Sequence, residues 1–319
     1  MRFAVETWAP EYGIAADEGQ LIETSEQVDA GIEVPLDDWS PISPSASTET
    51  PGTIMFVDGV QRIDARIWYD DGAFTRPGAC VVMAAGAVRC SGGKATVVEA
   101  EVVRGFFARA TDEADDIVTK HGTYRYFPCA GDAPEDVYLG IHEQRTAVET
   151  RMASEHDADL VVYDGPLRGR TDPVAVGYVK TQHVQYLPDA VQPVLGRLAA
   201  GQRTPVFLIH GRGRSVYSWY LRLPGPRAHP LSGIVRCEVN GQGSVKNASQ
   251  RADELTMTLP RFASEPHKDF RAPQNLYPIA GLEQQLRHRL GDQQLMERAL
   301  RVSSQDHDRL ERIVEGGHT

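Results

Sequence analysis

Apolar and polar residues alternate along TIMFVDGVQRIDARIWY, residues 53–69, the period-two pattern of a strand with one buried face. An Asp-Asp-Gly turn signal follows at 70–72. Two further strand-like runs, GACVVMAAGAVRC (78–90) and ATVVEAEVVRGFF (95–107), are joined by Ser-Gly-Gly-Lys, a good hairpin connection. Three successive antiparallel strands are therefore expected. The period then changes. In EDVYLGIHEQRTAVETRMASEHDADL, from residue 135, the residues Val137, Ile141, Ala147, Val148 and Met152 recur near helical spacing, which predicts one long helix. DADLVVYDGPL supplies a short apolar strand with Asp164-Gly165 at its end, and VAVGYVKTQ another from 174. A helix-like stretch at 189–200 leads to strands in RTPVFLIHG (203–211), SVYSWYLRLPG and SGIVRCEV. The tail from 280 reads as two helices punctuated by Gly291.

Composition narrows the classes. A chain of 319 residues with 41% hydrophobic and 24% charged content suits one large domain or two modest ones. Residues 1–50 are acidic and end in the Ser/Thr/Pro-rich DDWSPISPSASTETPG, which reads as an N-terminal extension and linker. The body is then 51–290, and 291–319 a helical tail. A net charge of −11 disfavours a polyanion binder that works by bulk attraction, but it permits a local basic face or a carboxylate metal site. The acidic run at 110–118 reads as a solvated face. Four cysteines without CxxC spacing predict buried free thiols in a reduced, cytoplasmic protein. No apolar run reaches transmembrane length, and the acidic start does not read as a signal peptide.

Asp58 raises the first chemical question, because it interrupts an apolar strand. An Asp-Gly turn explains it alone; convergence with other acids gives it another meaning. The order is a strand bearing Asp58, two antiparallel strands, a helix bearing Glu143 or Glu149, and a strand ending in Asp164. That order predicts an α/β fold with a ribonuclease-H-like mixed sheet flanked by helices, an N-terminal extension and C-terminal helices. In-line attack on a phosphodiester needs an activated water and charge relief on the leaving oxygen, which two divalent ions about 3.5–4 Å apart supply. Mg2+ and Mn2+ prefer oxygen ligands, so three or four carboxylates suit them. Other motifs weigh less. His142-Glu143 lacks the second histidine of a zincin helix, and HGRGRS (210–215) lacks a Walker ending. The latter reads as a basic loop whose Arg212 and Arg214 are candidates for DNA phosphate. Trp219 and Tyr220 read as core aromatics; His183 and Tyr186 face either a substrate channel or the packing.

The stretches FVDGVQR, RTAVETR, DLVVYDGPL, VGYVKTQ, WYLRL, GIVRCEV and PQNLYPIAGLEQQL, from 54 to about 288, together resemble the NurA family of DNA-end-processing nucleases. The resemblance implies that Asp58, Glu149 and Asp164 bind Mn2+ or Mg2+ and that Lys180 lies near the phosphate. Arg145 and Glu149, one turn apart, match the family's basic-then-acid spacing and favour Glu149 over Glu143. Val60 and Pro166 stand where the family has serine after Asp-Gly. The family's late histidine has no clear counterpart: Glu283, Gln285 and His288 compete, with Glu283 the best hard-cation ligand. The resemblance further implies 5′–3′ exonuclease and endonuclease action on DNA ends. It also implies a homodimer and a HerA-type hexameric, ATP-driven translocase as partner. The rival is a non-catalytic regulatory subunit of the translocase with a decayed site. The residues themselves leave polarity, strand preference and a role in repair or defence open.

Overall fold

The computed structural model describes residues 22–23, 26–70, 74–111, 114–181, 184–211, 214–227 and 229–316, the side chains of 22, 23, 70 and 305–316 excepted. Two short strands come first, β1 (Ile22–Glu23) and β2 (Gln27–Asp29). Three long ones follow: β3 (Thr53–Asp70), β4 (Thr75–Ser91) and β5 (Lys94–Arg109). Then come β6 (Ile117–Thr119), β7 (Gly122–Cys129) and the helix α1 (Pro134–Ser154). Next are β8 (Leu160–Asp164), β9 (Ala175–Val179), β10 (Val184–Gln185) and the one-turn helix α2 (Val194–Arg197). The chain continues through β11 (Phe207–Gly211), β12 (Arg214–Arg222), β13 (Ile234–Asn240) and α3 (Val245–Thr258). It closes with α4 (Tyr277–Arg289) and α5 (Gln293–Gly316).

Around β3 the hydrogen-bonded order is β5-β4-β3-β8-β9. That is third, second, first, fourth and fifth strand of the expected core, the ribonuclease-H-like arrangement. Only Gly92 and Gly93 separate the neighbours β4 and β5, and so short a connection permits only the antiparallel hairpin. β3 and β8 are parallel, in register from Ile54–Leu160 to Val57–Tyr163, and β8 and β9 are also parallel. A crossover through α1 supplies the length a parallel return requires.

Among the described residues the chain forms two compact units. One takes residues up to Val57, Val88–Thr96 and His156–Gly281; the other takes Asp58–Ala87, Val97–Glu155 and the chain from Leu282. In the first, β11, β12, β13 and β9 pair antiparallel before β8 and β3 continue in parallel. Leu187, Val191, Val194, Leu195 and Leu198 pack with Phe207, Ile209, Val216, Tyr220 and Ile234. Trp39, from the stretch read as linker, is buried in the same layer and donates its indole N–H to Ala30 O at 2.9 Å. Arg203, also buried, donates to both Glu33 oxygens at 2.9 Å and to Asp253 Oδ1 on α3 at 2.7 Å.

In the second unit, Val81, Met83 and Phe107 pack with Ile141 of α1. Their neighbours Cys80, Phe106 and Ala108 pack with Met296 and Leu300 of α5. Helices thus cover both faces, and that is why β4 reads as a near-continuous apolar run. All four cysteines are buried and free. Burial, with Asp64 nearby, pushes the Cys80 thiol up to about 12, so it behaves as a small hydrophobe. No helix among the described residues is long and apolar enough to cross a membrane.

Two expectations need correction. The helix expected over 189–200 shrinks to α2, because Pro188 and Pro193 restrict its start and the chain at Leu198 is already extended, with ψ 127°. The Asp58-Gly59 pair, which taken alone reads as a turn, is not one: β3 runs on through Gly59 to Asp70, as the alternation over 53–69 predicts. The Asp-Gly pair is an interior strand step, for a reason the site makes plain.

Candidate metal centre

In the second unit, the 3.6-residue repeat of α1 puts Arg145 and Glu149 on one face. Glu149 is buried, whereas Glu143 is exposed. Arg145 Nε lies 3.3 Å from Glu149 Oε1. That face meets β3 at Gly59. A Cβ built on Gly59 would stand 2.5 Å from Glu149 Oε1 and 3.1 Å from Arg145 Cγ, so the glycine is there for close approach rather than for a turn. Asp58, also buried, accepts the Gly59 N–H through Oδ1 at 2.7 Å. Gly59 thus has one buried carboxylate on its backbone N–H and another against its Cα.

The helix α4 separates the three candidates for the fourth ligand by exposure. Glu283 is buried and accepts from Arg287 Nη2 at 2.8 Å; Gln285 and His288 are exposed. Arg62 of β3 donates to Gly291 O at 2.7 Å and to Leu290 O at 3.3 Å, which ties the end of α4 to the strand carrying Asp58.

In the first unit, Asp164 closes β8, and Gly165 then turns the chain with φ 103°, a left-handed conformation open to glycine at little cost. Lys180, just past β9, places Nζ 2.7 Å from Asp164 Oδ2 and donates to Asn275 Oδ1 at 2.9 Å. Asn275 is fully buried and donates in turn to Asp269 Oδ2 at 2.6 Å. Gln274 donates to the Lys180 carbonyl at 3.2 Å. Glu238, buried on β13 and paired with Arg236 at 2.6 Å, accepts the Leu167 N–H in the loop after Asp164. Gly59, Asn275, Gln274 and Glu238 are thus the supporting residues that sequence reasoning missed. A glycine inside a strand pattern was the one signal available for the first.

Arg214 opens β12 and is exposed; Arg212 and His183 lie outside the described residues. Trp219 and Tyr220 are core, as expected. Tyr186 lies under the Arg236 guanidinium at 4.6 Å, a packing role.

Asp58, Glu149 and Glu283 of the second unit, and Asp164 of the first, each offer only carboxylate oxygens, the donors a hard divalent cation prefers, and Gly59 leaves the space that brings Glu149 to the strand. Among the described residues no group of three or more His, Cys, Asp or Glu side chains is already gathered for a metal ion. Arg145, Lys180 and Arg287 meanwhile supply positive charge to the acids.

The strand order defines a ribonuclease-H-like α/β protein. The domain model of the NurA domain matches residues 52–282, and the chain belongs to the NurA family. No curated protein matches it significantly in sequence. Among solved structures it is distantly similar to the NurA nuclease from Sulfolobus solfataricus, at 12% identity and TM-score 0.46, covering 80% of this chain and 86% of that one. It is also similar to the endonuclease V from Bacillus subtilis, at 12% identity and TM-score 0.35, covering 77% and 84%.

Proposed function

We propose that this NurA-family chain is a metal-dependent DNA nuclease acting at DNA ends, with residues 51–290 as the nuclease domain. The observation that carries the reading is the burial of two acids around one glycine: Asp58 accepts the Gly59 N–H, and Glu149 packs against Gly59 from α1. Burying two carboxylates costs stability, and buried acids are kept where chemistry needs them. Asp58, Glu149, Asp164 and Glu283 would hold Mn2+ or Mg2+, which when bound supplies an activated water and charge relief on the leaving oxygen. Lys180, fixed between Asp164 and Asn275, presents an ammonium to a substrate phosphate. Family membership supports a homodimer and a HerA-type translocase partner in the cytoplasm.

A second reading has one observation in its favour: Glu149 and Asp164 each already hold a basic partner. A non-catalytic regulatory subunit would keep such pairs closed. Incubation of the purified chain with end-labelled duplex, in Mn2+, in Mg2+ and in EDTA, separates the two. Cleavage in metal that is lost in EDTA and in Asp58→Asn supports the nuclease. No cleavage, with no manganese binding by calorimetry, supports the regulator.

A further inference from the structure

The sequence holds two Arg-Gly-Arg triplets, at 168–170 and 212–214, in a chain whose net charge is −11. Within the first unit the fold brings Gly169 and Arg170 of the first close to Arg214 of the second. The loop after Asp164 carries the first triplet, and Arg214 opens β12 beside the end of β11. A Cβ on Gly169 would lie 3.8 Å from Arg214 Nη1. Between the two runs a cleft of about 640 Å³, lined by Arg170, His210, Arg214, Asn240 and Gln242 among others.

The lining says what the cleft takes. Cationic and amide groups line it, with the Thr171 and Ser215 hydroxyls beside them, and no Phe, Tyr or Trp is present among its described residues. Bases are held by stacking on aromatic rings, and phosphates by Arg, hydroxyl and amide donors. Arg170 is rigid: its guanidinium lies 3.8 Å over the Tyr163 ring, and Tyr163 immediately precedes Asp164. His210 is set by its Nδ1 contact with Ser215 Oγ at 3.0 Å. Arg168 and Gly169 have φ of 50° and 81°, and an arginine held in the left-handed region costs free energy that a binding loop can justify. One carboxylate stands at the rim: Glu26 Oε1 lies 2.9 Å from the Cβ position of Gly211.

We propose that this cleft holds the sugar-phosphate backbone of the DNA strand beside the nucleotide being cut, without regard to base sequence. The inference rests on the nuclease reading and adds where the strand lies and what it is recognised by. The test is fluorescence anisotropy on the full chain in EDTA, with labelled oligonucleotides of mixed sequence, of thymine only, and as duplex, across a salt series. Arg214→Ala should weaken binding about fivefold or more and lower the slope of log affinity against log salt by about one. Arg214→Lys should keep most of the affinity, and Glu26→Gln should tighten binding. Mixed and thymine-only strands should bind alike. An unchanged affinity and slope in Arg214→Ala overturns the proposal, as does a tenfold preference between the two strand sequences, about the discrimination one base contact supplies. A wild type that binds through Arg214 yet never cuts in Mn2+ keeps the cleft and removes the nuclease reading. One that cuts while Arg214→Ala binds normally does the reverse.

Discussion

Two cations in the first unit face acids in different ways. Arg203 is buried between Glu33 and Asp253, with one further hydrogen bond to the Thr204 carbonyl. The Val206 N–H also goes to Glu33. The guanidinium itself is 2% exposed, although Asp253 keeps 31% of its side chain in solvent. Lys180 has a simpler setting: Asp164, Asn275, and a side chain still 10% exposed beside an acid 18% exposed. An ammonium carries three N–H donors, and two of these contacts are made among the described residues. The saturated pair fits a structural role, in which a buried charge must be fully compensated. The open pair keeps a donor for an incoming oxygen.

The largest expected effect tests the closed pair. Arg203→Met leaves Glu33 and Asp253 without their partner and should cost about 3–5 kcal/mol, read from the urea midpoint. A loss below about 1 kcal/mol, the range of a surface pair, would erase the contrast. Lys180→Met should do the opposite, cutting turnover at least tenfold while moving the urea midpoint much less than Arg203→Met. Equal destabilisation by both would make Lys180 another structural cation.

Gly59→Ala sharpens the same distinction in the second unit. The new methyl must displace the Glu149 carboxylate or Arg145, so cleavage should fall about tenfold for an altered ligand position, with circular dichroism unchanged. Full activity in Gly59→Ala would show that Glu149 works from another position. The smallest effect concerns pH. Burial alone would raise Glu33, but hydrogen bonds from Arg203 and Val206 outweigh it and hold the carboxyl below its ordinary value of 4.5. A depressed acid stabilises the fold fully above 4.5 and loses that contribution as pH falls through the lowered value. The stability gap between wild type and Glu33→Gln should therefore be widest near neutrality and shrink in acid. A gap independent of pH would show that the carboxylate charge is not what Arg203 reads.

The long elements were legible because their periods are strong. β3, β4, β5, α1 and α4–α5 fall where alternation or helical recurrence put them. β7 and α3 were not anticipated. In α3, only Ala248, Ala252 and Leu255 mark the buried face, with Thr256 and Thr258 beside them, so small and polar residues hide the amphipathic stripe. Its Ser244 cap, which accepts the Asn247 N–H at 3.2 Å, was a readable signal. For the site, Asp58, Glu149 and Asp164 could be named from order and residue type. Gly59, Asn275 and Glu238 act through contacts made by distant segments, and no local pattern announces those.

The short parallel register of β3 with β8 also sets a rule for insertions and deletions. Ile54 to Val57 pair one for one with Leu160 to Tyr163, and in each strand the next residue is an aspartate. The address of each acid is thus a count of residues from a shared origin. Exchanges among Val, Ile, Leu and Met leave that count intact. Gaining or losing a single residue moves every later side chain to the opposite face, and Gly59 would no longer stand before Glu149. Length variation among relatives should therefore gather in the connection between α1 and β8, outside the counted segments, and spare the four-residue ladder.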